Sequence, residues 1–248
     1  MLNYIDIGEN NEEAIVLIHG LSNVKEMWNR QYELSKHYRL IVLELRGHGN
    51  STTTDNLNVE TYADDIVELL DYLQLDKVHF CGISLGAITL LEFHKRYKER
   101  IKSLILVNTT FHVPSFIGHK LLGEQRKLLN SIGYDEYAKL SMKVCLHNQD
   151  FDDELVDKCF KIREDTYIEA SKSAFGRNYL MELTRIKVPT LVIGSSEDKL
   201  TPKFNAFILN NMISNSRIKI FNECGHLSNV EKWEEFNEAV KNHIANVD

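Results

Sequence analysis

The stretch "VHFCGISLGAITLLEFHKRY", Val78 to Tyr97, decides how the whole chain is read. It opens as a short apolar run, the signature of a strand buried on both faces, and continues as a helix. Between the two lies Gly82-Ile83-Ser84-Leu85-Gly86. A strand-to-helix turn this tight strains the residue at its apex. Glycines two positions to either side relieve the crowding. The helix that follows points its N-terminal dipole at the turn and favours negative charge developing there. Ser84 is therefore a candidate nucleophile. The bland alternative is a glycine-rich loop of no chemical use, and so short a pattern also arises by chance. Partners elsewhere in the chain have to decide.

Working outward, the same strand signal recurs. "AIVLIH" (14–19), "LIVLEL" (40–45), "KVHFCG" (77–82), "SLILVN" (103–108), "TLVIGS" (190–195) and "RIKIF" (217–221) are short, rich in Val, Ile and Leu, and lack clean alternation. Amphipathic stretches separate them. Val59, Tyr62, Ala63, Ile66, Leu69, Leu70 and Leu73 recur at helical spacing behind Asn58, a plausible N-cap. Val230, Trp233, Phe236, Val240, Ile244 and Val247 do the same near the C-terminus. This β-α-β-α rhythm predicts an α/β fold, a mostly parallel, doubly wound sheet with helices on both faces. "NYIDIG" reads as an edge strand. From His112 to Arg185 the rhythm breaks into successive helices, "FIGHKLLGEQRKLLNSIG", "YDEYAKLSMKVCLHNQ", "DDELVDKCFKIRED" and "TYIEASKSAFGRNYLMEL". The expected organisation is a core of residues 1–111 and 186–248 with a helical insertion at 112–185.

Composition narrows the function. The net charge of −7 disfavours a nucleic-acid or anionic-membrane role, since both need basic stripes. No run approaches the ~20 apolar residues of a membrane span. "MLNYIDIGENNEE" lacks the basic and apolar regions of a secretory signal, so a cytoplasmic location is expected. The four cysteines, Cys81, Cys145, Cys159 and Cys224, form no C-x-x-C pair and read as buried, reduced thiols rather than a metal site. A monomer or homodimer is expected.

In open α/β sheets functional residues gather beyond the carboxyl ends of the strands. Asp198, in "LVIGSSEDKLTP", follows one strand and His226, in "FNECGHLSN", follows the last. Glu197 competes with Asp198 as the acid. Thr201 and Pro202 look like the N-cap and first residue of the next helix, which leaves Asp198 free. Chain order is Ser…Asp…His, as expected of a G-x-S-x-G hydrolase. Acyl transfer also needs two backbone N–H groups for an oxyanion. Leu85, after the serine, is one candidate. Leu21, after "AIVLIHG", is the other; the plainer reading of His19-Gly20 is a turn.

Together these stretches resemble the α/β-hydrolase superfamily, and the resemblance covers nearly the whole chain. "HGLSNVKEMW", "LELRGHGNS", "GISLGA", "EDKLTP" and "GHLSNVE" all match its motifs. Glu44 stands in place of the usual Asp, Ala87 in place of Gly, and Ser195 where Gly is common. The resemblance favours Asp198 over Glu197 and makes the 112–185 insertion a helical cap. It implies a serine hydrolase without cofactor or metal, acting on a small carboxylic ester, lactone or thioester. Ser84 would be nucleophile, His226 base and Asp198 its orienting acid. The alternatives are a C–C-bond hydrolase of the same fold, or a small-ligand receptor that keeps the triad. Phe111, Phe116, Tyr137, Met142 and Phe175 are the candidate pocket residues. Arg163, Arg177 and Arg185 lie in the cap region and could bind a carboxylate.

Overall fold

A computed structural model describes residues 2–148, 158–161 and 163–247. Seven strands form one sheet: β1 (Asn3–Ile7), β2 (Ala14–Ile18), β3 (Arg39–Glu44), β4 (Val78–Ile83), β5 (Ile101–Val107), β6 (Thr190–Ser195) and β7 (Ser216–Phe221). Their spatial order is β1-β3-β2-β4-β5-β6-β7. Only the β1–β3 pair is antiparallel. The expected edge strand is therefore paired, and the six apolar runs form the parallel body of the sheet.

The runs lack polar alternation because both pleat faces are covered. Val16 and Ile18 of β2 join a core with α1 (Val59–Tyr72) and α2 (Leu85–Tyr97). Ile15 and Leu17 of the same strand face Trp28 and the C-terminal helix residues Phe236, Val240 and Ile244. Asn58 caps α1 as expected: its Oδ1 accepts the Thr61 N–H at 2.9 Å. The C-terminal amphipathic stretch is broken in two, α8 (Ser228–Glu231) and α9 (Trp233–Ile244). The Glu231 side chain turns back at this break and accepts backbone N–H groups from Gly225, His147 and Asn148.

Between β5 and β6 the chain forms α3 (Ser115–Ile132), α4 (Tyr134–Cys145), α5 (Tyr167–Lys172) and α6 (Leu180–Leu183). Gly133, at φ 81°, separates α3 from α4. Half of the expected helix "DDELVDKCFKIRED" lies outside the described residues, and Phe160 within it makes an antiparallel bridge to Asn23. The expected last helix is two short ones. Between them Gly176, at φ 77°, donates to Val113, and Asn178 bridges His112. No helix among the described residues is long and apolar enough to cross a membrane.

Three of the six buried histidines, His19, His48 and His243, are the most strongly shifted. Burial holds His19 down to about 3, and both His48 and His243 down to about 4. Their folded values lie below the ordinary value near 6.5, so the unfolded chain takes up protons first as pH falls. The stability they contribute is complete above about pH 6.5 and is lost progressively below it. At pH 5 each should have forfeited on the order of 2 kcal/mol. The urea midpoint should therefore fall clearly between pH 7 and pH 5, and His243→Leu should flatten that dependence. An unchanged midpoint would contradict the burial argument.

Candidate active site

The chain leaves β2 toward β3 on one side and returns through α1 to β4 on the other. This reversal opens a crevice beyond the carboxyl ends of β2 and β4, where α/β sheets place their ligands. Ser84 stands at the end of β4 with φ 54° and ψ −116°, a conformation costly for any residue with a side chain. Its N–H donates to Val107 and its carbonyl accepts the Thr109 hydroxyl, so β5 and the loop that follows it pin the strained residue on both sides.

The two glycines allow this turn. A Cβ on Gly82 would lie 2.7 Å from the Gly86 backbone, and one on Gly86 would lie 2.4 Å from the Ile18 carbonyl oxygen. Gly86→Ala should thus push α2 off β2 and cost about 3 kcal/mol or more, read as a loss of urea midpoint. A variant of unchanged stability would show that this contact is not tight.

Asp198 and His226 meet as their positions suggest. Asp198 Oδ2 lies 2.8 Å from His226 Nδ1, and both side chains are buried. Burial opposes ionisation of the carboxyl, yet His226 together with the Thr201 hydroxyl and amide outweighs it and holds Asp198 well below the usual carboxylate range. An ionised Asp198 can only accept, so Nδ1 carries the proton and leaves Nε2 as the nitrogen free to act as a base. The backbone N–H of His226 donates to Cys145 at the end of α4.

Thr201 does not cap the next helix. α7 (Phe204–Met212) begins later, behind Lys203. Thr201 instead donates its amide to Asp198 Oδ1 and its hydroxyl to Oδ2, so the acid is held rather than free. Asn108 is a residue the sequence reading missed. Its side-chain amide donates to Asp198 Oδ2 and to Ser195, and its Oδ1 accepts the Ser228 hydroxyl. Its position just beyond β5, at the same edge as the other groups, was the available signal.

The loop after β2 lies against the turn: a Cβ on Gly20 would be 3.4 Å from that of Ser84. His19 supports this loop and takes no further part. Its Nε2 accepts the Leu45 N–H, so Nδ1 carries the proton and donates to the Gly20 carbonyl. The N–H of Leu85, first in α2, has no intrahelical acceptor. Leu21 sits in the turn that the Asn23 N–H closes onto Gly20. Glu44, the longer acid at its position, reaches Lys25 Nζ at 3.2 Å and the Asn50 N–H at 2.7 Å.

Above these groups is a cavity of about 390 Å³. Gly20, Leu21, Ser84 and His226 form its floor. Glu124, Gln125 and Leu128 of α3, and one face of α4 from Tyr137 to Cys145, form its walls. Of the five candidate pocket residues Tyr137 alone lines it. Met142 is turned from that face of α4 into the sheet core. Phe116 is 81 % exposed, two turns before the lining part of α3. Phe111 packs on the α1–α2 core, and Phe175 is pressed between Gly118 and His119. Leu140, Ser141 and Val144 were missed because aromatic identity was weighed above the i, i+3, i+4, i+7 spacing that puts them beside Tyr137.

Cys145 also lines the cavity, but burial pushes its thiol up to about 12, which makes it a poor nucleophile. All four cysteines are buried and unpaired by disulfides. Among the described residues no three His, Cys, Asp or Glu side chains converge as a metal site requires.

A mostly parallel sheet, a strained serine after its central strand, and an aspartate-held histidine on the same cavity are features of the α/β-hydrolase fold. A family model described as the alpha/beta hydrolase fold matches residues 13–133. The chain is 27 % identical to 3-oxoadipate enol-lactonase 1 of Acinetobacter baylyi, over 92 % of this chain and 87 % of that one. It is 28 % identical to 2-hydroxy-6-oxononadienedioate/2-hydroxy-6-oxononatrienedioate hydrolase 1 of Pseudomonas putida, over 96 % and 90 %. Its fold matches that of a thermophilic esterase from Thermogutta terrifontis with a TM-score of 0.89 at 24 % identity, over 99 % and 93 %. The chain has the α/β-hydrolase fold, and its relatives support hydrolase activity.

Proposed function

We propose that the protein is a serine hydrolase that cleaves a small carboxylic ester, lactone or thioester through an acyl-enzyme on Ser84. The observation that carries this reading is the Asp198–His226 pair, 2.8 Å apart, whose histidine lines one cavity with a serine held at φ 54°. His226 Nε2 takes the Ser84 proton as Oγ attacks the carbonyl carbon. Asp198 keeps the imidazole in the right tautomer and stabilises its cationic form. The N–H groups of Leu21 and Leu85 receive the oxyanion; such donors are worth about 3–4 kcal/mol each in measured cases. His226 then protonates the leaving group, and in the second half-reaction it activates the water that frees the acid and restores Ser84. The helices between β5 and β6 act as the cap that shapes the acyl site.

The relatives named for an enol-lactone and for a dienedioate fit the same nucleophile and base. What favours the ester and lactone reading here is the wall of Leu128, Leu140 and Val144, which suits an acyl chain. Rapid mixing with a p-nitrophenyl ester tests it. The expected result is a burst of p-nitrophenol equal to the enzyme present, followed by steady turnover if deacylation is slower. No release above the uncatalysed rate, across acyl lengths and a lactone panel, would contradict it.

A further inference from the structure

The charge of the acyl group can be read from the cavity. Among the described residues that line it there is no Lys and no Arg. Residues 149–157, QDFDDELVD, contain none either. Of the four cap arginines, Arg126 lies on α3 outside the lining, and the other three are engaged elsewhere. Arg163 pairs with Asp165 and donates to the Ser51 carbonyl, Arg177 pairs with Glu60, and Arg185 pairs with Glu182. The one charged wall residue is Glu124, an acid.

The deeper polar group is neutral. Tyr137 and Tyr167 are 4 % and 6 % exposed, and their hydroxyls are 2.9 Å apart. Two hydroxyls carry two protons and one bridges the pair. The Ser171 side chain hydrogen-bonds Tyr167 as well, so the pair presents at most one neutral O–H to the cavity that both rings line. One neutral O–H satisfies a carbonyl, ether or hydroxyl oxygen. It does not replace the hydration of a carboxylate moved among leucines and a valine, beside a second negative charge.

Resting on the serine-hydrolase reading, we infer that this cavity takes an uncharged acyl or lactone group and rejects substrates with a second, ionised carboxylate on the acyl side. Selectivity arises from the cost of stripping water from that carboxylate without a cation to receive it. The oxyanion N–H groups are at the floor and are taken by the reacting carbonyl, so they offer no second anion site.

Alkyl boronic acids test this without knowledge of the natural substrate, since boron accepts the serine Oγ lone pair while His226 takes the hydroxyl proton, giving a tetrahedral boronate adduct. Hexylboronic acid and 5-carboxypentylboronic acid should be compared at pH 8 as protectants of Ser84 against a fluorophosphonate. The expected result is protection by the hexyl compound at a concentration about 100-fold lower. Leu128→Arg, which places a cation on the wall, should shrink that ratio to about 10-fold or less. Equal protection of the wild type, or better protection by the carboxylated compound, would overturn the inference. So would protection by neither while Ser84 still reacts with the fluorophosphonate. A Ser84 that does not react at all would instead overturn the serine-hydrolase reading, so the two failures are distinct.

Discussion

Replacing Ser84 by alanine is expected to lower kcat for an ester by about 10⁴- to 10⁶-fold, the range seen when a nucleophile is removed from such a unit. The fold should survive, because the Ser84 N–H and carbonyl make the local hydrogen bonds, to Val107 and from Thr109, and alanine keeps both. Alanine does not relieve the backbone, however, because its Cβ meets the same crowding at φ 54°. Glycine does. Relief of about 1–3 kcal/mol of strain exceeds the 0.5–1 kcal/mol that glycine costs through the unfolded chain. Ser84→Gly should therefore be as inactive as Ser84→Ala and about 1 kcal/mol more stable. Kinetics with one activated ester and two urea titrations check both halves. A Ser84→Ala protein with wild-type kcat would remove the nucleophile, and a glycine variant less stable than the alanine one would show that the turn is not strained.

Asp198→Asn is expected to lower kcat by about 10³- to 10⁴-fold and to destabilise the fold as well. The catalytic loss follows from the lost negative charge opposite His226, which no longer fixes the tautomer or the cation. The stability loss follows from counting donors. Asp198 Oδ1 accepts the N–H groups of Leu200 and Thr201. Oδ2 faces donors from Thr201, Asn108 and His226. An asparagine has to turn its NH₂ toward one set or the other. Either way at least two buried donors lose their acceptor, at about 1–3 kcal/mol each. A variant with low kcat and unchanged urea midpoint would mean that the donors find other acceptors. Unchanged kcat would mean that the pair does not serve the reaction.

These expectations show what was legible in the sequence. The six parallel strands were readable because a sheet covered on both faces demands continuous apolar runs, and such runs announce themselves. Asp198 and His226 were readable because parallel strands all end at one edge, so chain order and strand position sufficed to bring them together. Asn108 was not. It lies at the same edge, but an Asn after a strand is ordinary, and only the distances show it holding the acid. Thr201 was misread because Thr-Pro is a strong helix-start pattern, and here a tertiary partner, the Asp198 carboxylate, outcompeted the helix for its side chain. The pocket fared worst. Five large aromatic or thioether residues were chosen for their chemistry and four lie elsewhere, while the wall is set by which face of α4 looks down, and its members are a serine, a valine and a leucine beside Tyr137.

The insertion is also less independent than its sequence suggested. Phe160 bridges Asn23, and the Val24 N–H donates to the Cys159 carbonyl, which ties it to the Gly20 loop. Glu231 and the His226 N–H tie the end of α4 to the histidine loop. The wall of the cavity is thereby positioned by the same contacts that position the candidate base, and packing at Cys145 bears directly on His226.

The most direct test of the central claim is to expose the protein to a fluorophosphonate and locate the adduct by peptide mass spectrometry. The account predicts one adduct, on Ser84, absent from Ser84→Ala and strongly slowed in Asp198→Asn. No adduct, or one on Ser22 or Ser141 of the same cavity with Ser84 unmodified, would contradict it.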